Sequence, residues 1–374
     1  MKLRTPNYYE SFKCIASKCK DSCCSAGWEI DIDDKTVEFY KNVTGEFGEK
    51  IKKKIEFNPP AHFKINKDCP FLNENKLCDI YINLGEENLC QICKDHPRYY
   101  EWFENVKEAG IGLCCEEAAR IILSQKDNFS LIEKEFTPTK TDIENSEYKY
   151  DNEIYDYLLH SREKIINYID YSSLPLDVSL RNILWYSYIL QQNLDNFLLD
   201  DDEIIDISND RKNDSNTANS KNIDETNTAT IISEMFEFYK ALEPNDEKWP
   251  EYLEQCAKTF QSTKHQLQDF ENANPNVELY LKNIAIYFIW RYFLKGVFDE
   301  EIFSKIKLMY ISIFIIKIMF FCEWIKKGSL TLEDCIDIVK KYSEEIEYCE
   351  ENLDALADAS YDLEIFSIET LLNI

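Results

Sequence analysis

The sequence predicts a mainly α protein in two parts. A small mixed α+β, cysteine-rich metal-binding domain spans residues 1–125, and an α-helical domain spans 126–374. Three observations predict it. Ten of fourteen cysteines fall within the first 115 residues, in tight spacings. From residue 152 on, apolar residues recur at helical intervals. Charge divides the same way: of a net −28, residues 1–120 carry −3 and residues 121–374 carry −25.

The elements follow in order. Phe12–Ser25 reads as a cysteine-bearing loop and short helix, with Cys19 and Cys23 four apart on one face. Trp28-Glu29-Ile30-Asp31-Ile32 alternates as a short strand, and Asp33 or Asp34 caps a helix to about Val43. Asn58-Pro59-Pro60 is a break, and Phe63-Lys64-Ile65 is a second short strand. Tyr99–Phe103 and Val106–Ile111 form a hairpin about Glu104-Asn105. Alternation puts Tyr99, Glu101 and Phe103 on one face of it, and Tyr100 and Trp102 on the other. Glu116–Ser124 is a helix whose two leading glutamates suit its positive end.

Residues 129–148 read as irregular. Helices are then predicted over Asn152–Asp170, Leu176–Leu199, Ile231–Leu242, Glu251–Phe270, Val277–Val297, Glu301–Lys327 and Leu332–Glu350. Thr331 caps the last, and Leu353–Ala359 extends the helical end. The polar Asn/Asp/Ser/Thr run near 208–228 reads as a poorly ordered loop.

Composition narrows the function. The acidic body repels nucleic acid and anionic membrane, so no nucleic-acid partner is expected. The longest apolar run, Leu308–Cys322, is short for a span and reads as a buried helix, so no membrane span is expected. The first eleven residues lack an apolar core segment, which predicts a cytoplasmic protein. There thiols stay reduced, and clustered cysteines point to metal or redox chemistry rather than disulfides. Glycine is scarce, at eight residues, and no G-x-G-x-x-G, P-loop or G-x-S-x-G pattern is present.

Cys14-x4-Cys19-x3-Cys23-Cys24 is followed by Cys69-x8-Cys78 and Cys90-x2-Cys93, then Cys114-Cys115. The thiolate is the metal ligand, and short loops bring several to one centre. Ten thiols exceed one tetrahedral zinc, so an iron–sulfur cluster is expected, with zinc as the alternative metal. Cys14, Cys19, Cys23, Cys69, Cys78, Cys93 and Cys115 are the expected ligands. Cys24 and Cys90 are ligands or small buried apolar residues, and so is Cys114. Cys256, Cys322, Cys335 and Cys349 are core residues.

Other residues admit two readings each. Arg98 is either a carboxylate clamp or an ordinary ion pair. His96 is read as a solvated histidine rather than a ligand or base. The hairpin aromatics and Tyr287–Phe293 are read as core, leaving Arg291 as that run's one functional candidate. Asp95, Glu101 and Glu104 are carboxylates able to orient or deprotonate an amine.

Cys14-x4-Cys19-x3-Cys23-Cys24, Trp28, Cys69-Pro70-Phe71-Leu72, Leu77-Cys78-x-Ile80, Leu84-Gly85-Glu86, Cys93, Pro97-Arg98 and Leu113-x-Cys115-x-Glu117-Ala118-Ala119-Arg120 together resemble the flagellin lysine-N-methylase family (FliB-like). The middle part is also similar to small zinc- or iron-chelating cysteine domains. Tyr342-x5-Tyr348-x3-Asn352-Leu353 is similar to a weaker family stretch, departing where His-Ser is expected at Tyr348-Cys349. The resemblance implies methylation of flagellin lysines from S-adenosylmethionine, with a cysteine-bound iron–sulfur cluster of the 4Fe-4S type. Arg98 is then the candidate for the donor's carboxylate. The radical signature C-x3-C-x2-C is absent, which favours polar displacement. The rival reading is a non-catalytic metal-binding or redox module that docks a partner.

Overall fold

A computed structural model describes residues 1–20, 22–25, 28–65, 68–199 and 225–374. The hairpin forms as the alternation predicts: β4 (Arg98–Phe103) pairs antiparallel with β5 (Val106–Ile111), Arg98 opposite Ile111 and Phe103 opposite Val106. Glu104 turns it with φ +37. Two strands that the sequence pattern does not predict complete the sheet. β1 (Lys2–Pro6) lies parallel to β5, and β6 (Leu131–Glu135) lies antiparallel to β1, giving the order β4-β5-β1-β6. Both pairings are long-range, and neither strand alternates strongly, so no local pattern announces them.

The stretch 129–148 is therefore not irregular throughout. It carries β6 and a helix, Lys140–Asn145, started by a capping box between Thr139 and Asp142. The carboxylate of Asp142 also accepts from Lys107 Nζ at 2.8 Å and Trp102 Nε1 at 3.0 Å. These bonds hold the helix against the outer face of the hairpin.

A second, smaller core lies around β2 (Glu29–Asp31) and β3 (His62–Lys64). Ile30, Ile32, Tyr40, Ile51, Ile55, Phe63, Ile65, Phe71, Ile80 and Cys90 are buried there. The helix Asp34–Asn42 begins at Asp33, whose side chain accepts from the Thr36 N–H.

The C-terminal body is helical, as its apolar stripes require. Its centre is Ile302–Lys327, packed by Leu176–Asp195, Trp249–Thr263, Asn276–Tyr292, Leu332–Ile346 and Glu350–Asp362. By length and composition this central helix is apolar enough to cross a membrane, and 67% of that apolar window is buried inside the fold. Thr331 caps Leu332–Ile346 in a box with Asp334, as expected.

Several boundaries shift. The helix expected over 251–270 breaks at the 3-10 turn Lys264–Gln266, and the one over 277–297 ends at Tyr292. Of the polar run near 208–228, residues 208–224 lie outside the described residues, while 225–228 already belong to the helix Glu225–Lys240.

The helix Glu116–Leu123 joins the two halves. It packs against both Asn276–Tyr292 and Leu332–Ile346, with Ala118, Ala119, Ile122 and Leu123 in the main core. Arg120 donates to Glu333 across that contact. A deeper tie is bidentate: Arg162 Nη1 and Nη2 meet Glu108 of β5 at 2.7 and 2.6 Å, both residues buried. The Arg162 guanidinium lies 4.4 Å from the ring centre of Trp290.

Candidate metal centre

The clustered thiols fall into two groups. Cys14, Cys19, Cys23 and Cys115 form the first, each within electrostatic reach of Cys14 or Cys115. The local chain is two 3-10 turns, Ala16–Lys18 and Cys23–Ser25, in place of the helical turn expected to align Cys19 with Cys23. A tertiary bond sets the loop: the Lys20 N–H donates to Glu116 Oε2 at 2.9 Å. Glu116 is buried at the start of the joining helix. Cys115 immediately precedes that helix as its N-cap, and its side chain makes no capping hydrogen bond.

Burial raises the Cys19 thiol to about 12, and burial also raises Cys115. Lys340, almost fully buried on the helix Leu332–Ile346, opposes both shifts. That ammonium is itself paired, donating to Glu344 Oε1 at 2.6 Å. Four is the number of thiols that a cysteine-held iron–sulfur cluster takes, so Cys14, Cys19, Cys23 and Cys115 are the residues that could hold one. Among the described residues no three Cys, His, Asp or Glu side chains close on a single-ion site. A four-iron centre needs its sulfurs spread wider than one ion does.

Cys24, Cys69, Cys78, Cys90 and Cys93 form the second group, on the small core. The Cys69 N–H donates to the Cys24 carbonyl at 2.7 Å. A tight turn between Cys69 and Cys78 is closed by the Leu72–Cys78 bridge, with Asn73 Oδ1 accepting from the Asn75 and Leu77 N–H groups. Cys23 and Cys24, adjacent in the chain, connect the groups; their facing thiols raise Cys23 and lower Cys24 to about 7.

Cys114 belongs to neither group. It is buried beside Tyr348, and burial pushes its thiol up to about 12. Cys256, Cys322, Cys335 and Cys349 are all buried away from the cluster loops, as expected.

His96 is not the solvated residue expected. Its Nε2 is enclosed without a hydrogen-bond partner, its ring lies 5.8 Å from that of Trp28, and burial lowers it to about 4. The ring is neutral at pH 7. Arg98 opens β4 with its guanidinium 5.1 Å from the ring centre of Phe12 and 5.8 Å from that of Tyr9. Asp95 accepts from Tyr100 at 3.2 Å, and Glu101 lies 3.4 Å from Lys295 Nζ, its carboxyl raised by burial.

Arg291 is the residue whose surroundings sequence reasoning missed. Its guanidinium lies 4.7 Å from the ring centre of Tyr99, 5.2 Å from Tyr292, 5.3 Å from Tyr348 and 5.8 Å from Tyr287. Glu347 Oε2 accepts from Tyr287 at 2.8 Å and Tyr292 at 2.9 Å and forms an ion pair with Arg291 Nη1 at 3.0 Å. The i, i+4, i+5 spacing of Tyr287, Arg291 and Tyr292 is the one local signal; the partner Glu347 lies far along the chain. Two glycines shape this box. A Cβ at Gly110 would stand 2.3 Å from the Tyr99 ring, and one at Gly112 2.5 Å from the Tyr348 hydroxyl.

Fold and site together define a mainly α protein whose thiol-rich N-terminal loops are clamped onto a helical body. Residues 162–374, more than half of the chain, match the family model described as the FliB lysine N-methylase C-terminal domain, and the chain belongs to that family. The matched residues are those of the helical body. The Lysine-N-methylase of Salmonella typhimurium (strain LT2) is 29% identical over 141 residues, 34% of this chain and 34% of that protein. The Lysine-N-methylase of Salmonella choleraesuis matches to the same extent. The match therefore spans about a third of either relative's length. The Flagellar biosynthetic protein FliU of Salmonella muenchen is also 29% identical over 141 residues, covering 81% of its length. No solved structure matches.

Proposed function

We propose that the chain is a protein-lysine N-methyltransferase that moves a methyl group from S-adenosylmethionine to lysine side chains of flagellin. In this reading a 4Fe-4S cluster is held by Cys14, Cys19, Cys23 and Cys115. The observation that carries it is the family match of the helical body, supported by relatives named for lysine methylation and flagellar biosynthesis.

The reaction is a polar displacement. The lysine nitrogen attacks the methyl carbon as a neutral amine, the sulfonium–methyl bond breaks, and the neutral thioether leaves. The ammonium must therefore lose a proton first. Arg98 is the residue offered to the donor's carboxylate, by a paired hydrogen bond from its guanidinium. With four thiolates the cluster is fully ligated when bound, and supplies a rigid anchor fixing the loop to the joining helix.

The test is methyl transfer by anaerobically purified chain. Labelled donor and flagellin should give label on lysine and no deoxyadenosine. Failure to bind the donor, in protein that retains its metal, sinks the enzyme in favour of a docking module. Deoxyadenosine in step with methylation would replace displacement by radical chemistry.

A further inference from the structure

We infer that the helical body holds a site for a purine nucleoside without phosphate: a cavity of about 290 Å³ between the helices Trp249–Thr263, Ile302–Lys327 and Leu332–Ile346. The nucleoside class is read from the lining. Its assignment as the adenosine half of the methyl donor rests on the function proposed above.

The floor is apolar and aromatic. Trp249 and Tyr252 stack with 5.8 Å between ring centres and 27° between planes. Met319 and Ile338, from the other two helices, line the same space. A planar ring system placed on such a floor gains stacking and dispersion. The indole Nε1 of Trp249 is enclosed without a hydrogen-bond partner. A buried donor left unpaired is costly, and a ring nitrogen brought to it as an acceptor removes that cost. A purine carries such acceptors on its edge, and a plain hydrocarbon carries none.

The rim decides against a nucleotide. Four carboxylates, Asp246, Glu323, Asp334 and Asp337, stand against three ammoniums, Lys248, Lys327 and Lys341. Lys327 is held between Glu323 and Asp334, and Lys341 between Asp246 and Glu345. Those two lysines are already neutralised, so a phosphate brought here meets carboxylates in excess. Asp337 is held loosely, by an ion pair with Lys20 at 3.8 Å, and its side chain is 57% exposed. It is placed to accept from ribose hydroxyls, as acidic side chains do in dinucleotide sites. An acidic rim also suits a cationic group carried by the nucleoside, such as a sulfonium.

The cavity also stands next to the first thiol group. Lys20, the partner of Asp337, directly follows Cys19, and its N–H bonds Glu116 at the head of the joining helix. Every residue lining the cavity lies within 162–374, the part that matches the family model. Two other cavities, one beside Tyr8 and Asn283 and one beside Tyr99 and Arg291, measure about 10 Å³ each, room for one water at most.

Equilibrium dialysis of the full chain, purified anaerobically, against labelled adenosine tests this. Adenosine should bind, adenosine 5′-phosphate should bind about tenfold more weakly or worse, and S-adenosylmethionine should displace adenosine. Tyr252→Ala and Asp337→Ala should each weaken adenosine about tenfold. Asp337 lies on the surface, so its variant keeps the site testable even if Tyr252→Ala does not fold. Wild-type protein that fails to bind adenosine, a phosphate that binds as tightly as the nucleoside, or an affinity unchanged in Asp337→Ala would each overturn the site. Adenosine bound but not displaced by S-adenosylmethionine would overturn the assignment to the methyl donor. Absence of methyl transfer, with adenosine bound and displaced, would sink the enzyme and leave the site standing.

Discussion

Replacing Glu347 by glutamine should cost the helical body more than any surface change. The carboxylate is fully buried and takes two hydrogen bonds, from Tyr287 and Tyr292, and the ion pair with Arg291 on one oxygen. Its partner Arg291 is only 11% exposed. Glutamine keeps the volume and removes the charge, so Arg291 is left as a buried cation facing four tyrosine rings and a neutral amide. Removing one member of a buried pair typically costs about 3–5 kcal/mol. The rings return part of this, since each cation–π contact is worth roughly 0.5–2 kcal/mol and survives the substitution. A net loss of about 2–4 kcal/mol is expected. Urea titration followed by tryptophan fluorescence would read it, with Arg291→Met and the double variant completing a cycle. The double variant should lose much less than the two single losses added. A loss under about 1 kcal/mol for Glu347→Gln, with additive single effects, would refute the view that this pair is a coupled buried unit.

Three further outcomes follow from local geometry. Gly110→Ala drives a methyl into the half-buried Tyr99 ring at 2.3 Å and should lower stability by about 1–3 kcal/mol, read by the same titration. Thr331→Ala removes one side of an exposed capping box and should cost about 1 kcal/mol, seen as faster amide exchange in the first turn of Leu332–Ile346. Burial lowers Lys307, 4% exposed, from 10.5 to about 8, so between those values the folded chain binds fewer protons than the unfolded one. Stability should therefore rise with pH across that window, by up to about 3 kcal/mol, and Lys307→Met should lack that share of the slope in melting curves at its two ends.

What the sequence discloses is what local pattern controls. The long helices carry apolar stripes, and the 98–111 hairpin alternates, so both are legible in the residues themselves. Thr331 with Asp334 three residues on announces its own cap. β1 and β6 are not legible, because a parallel pairing of Lys2 with Val106 leaves no trace in either segment. The thiol loops are legible as chemistry and not as geometry. Spacing marks Cys19 and Cys23 as close in the chain. The bond from the Lys20 N–H to Glu116 and the ion pair of Lys20 with Glu333 bring that loop to Cys115 and to the helix that carries Lys340, all far apart in sequence. Arg291 stands out in an aromatic run, yet its box is completed by Tyr99 and Glu347, far off in sequence. His96 reads as solvated because nothing nearby in the chain shows that Trp28 covers it.

Four thiols, Cys14, Cys19, Cys23 and Cys115, act as one centre at the junction with the family's helical body in the function proposed above. Iron and sulfide analysis of anaerobically purified wild type beside Cys19→Ala, Cys115→Ala and Cys335→Ala tests this most directly. About four iron and four sulfide per chain are expected in wild type and in Cys335→Ala, with a large loss of both in Cys19→Ala and Cys115→Ala. Undiminished iron in Cys19→Ala and Cys115→Ala would contradict a centre built from these four thiols.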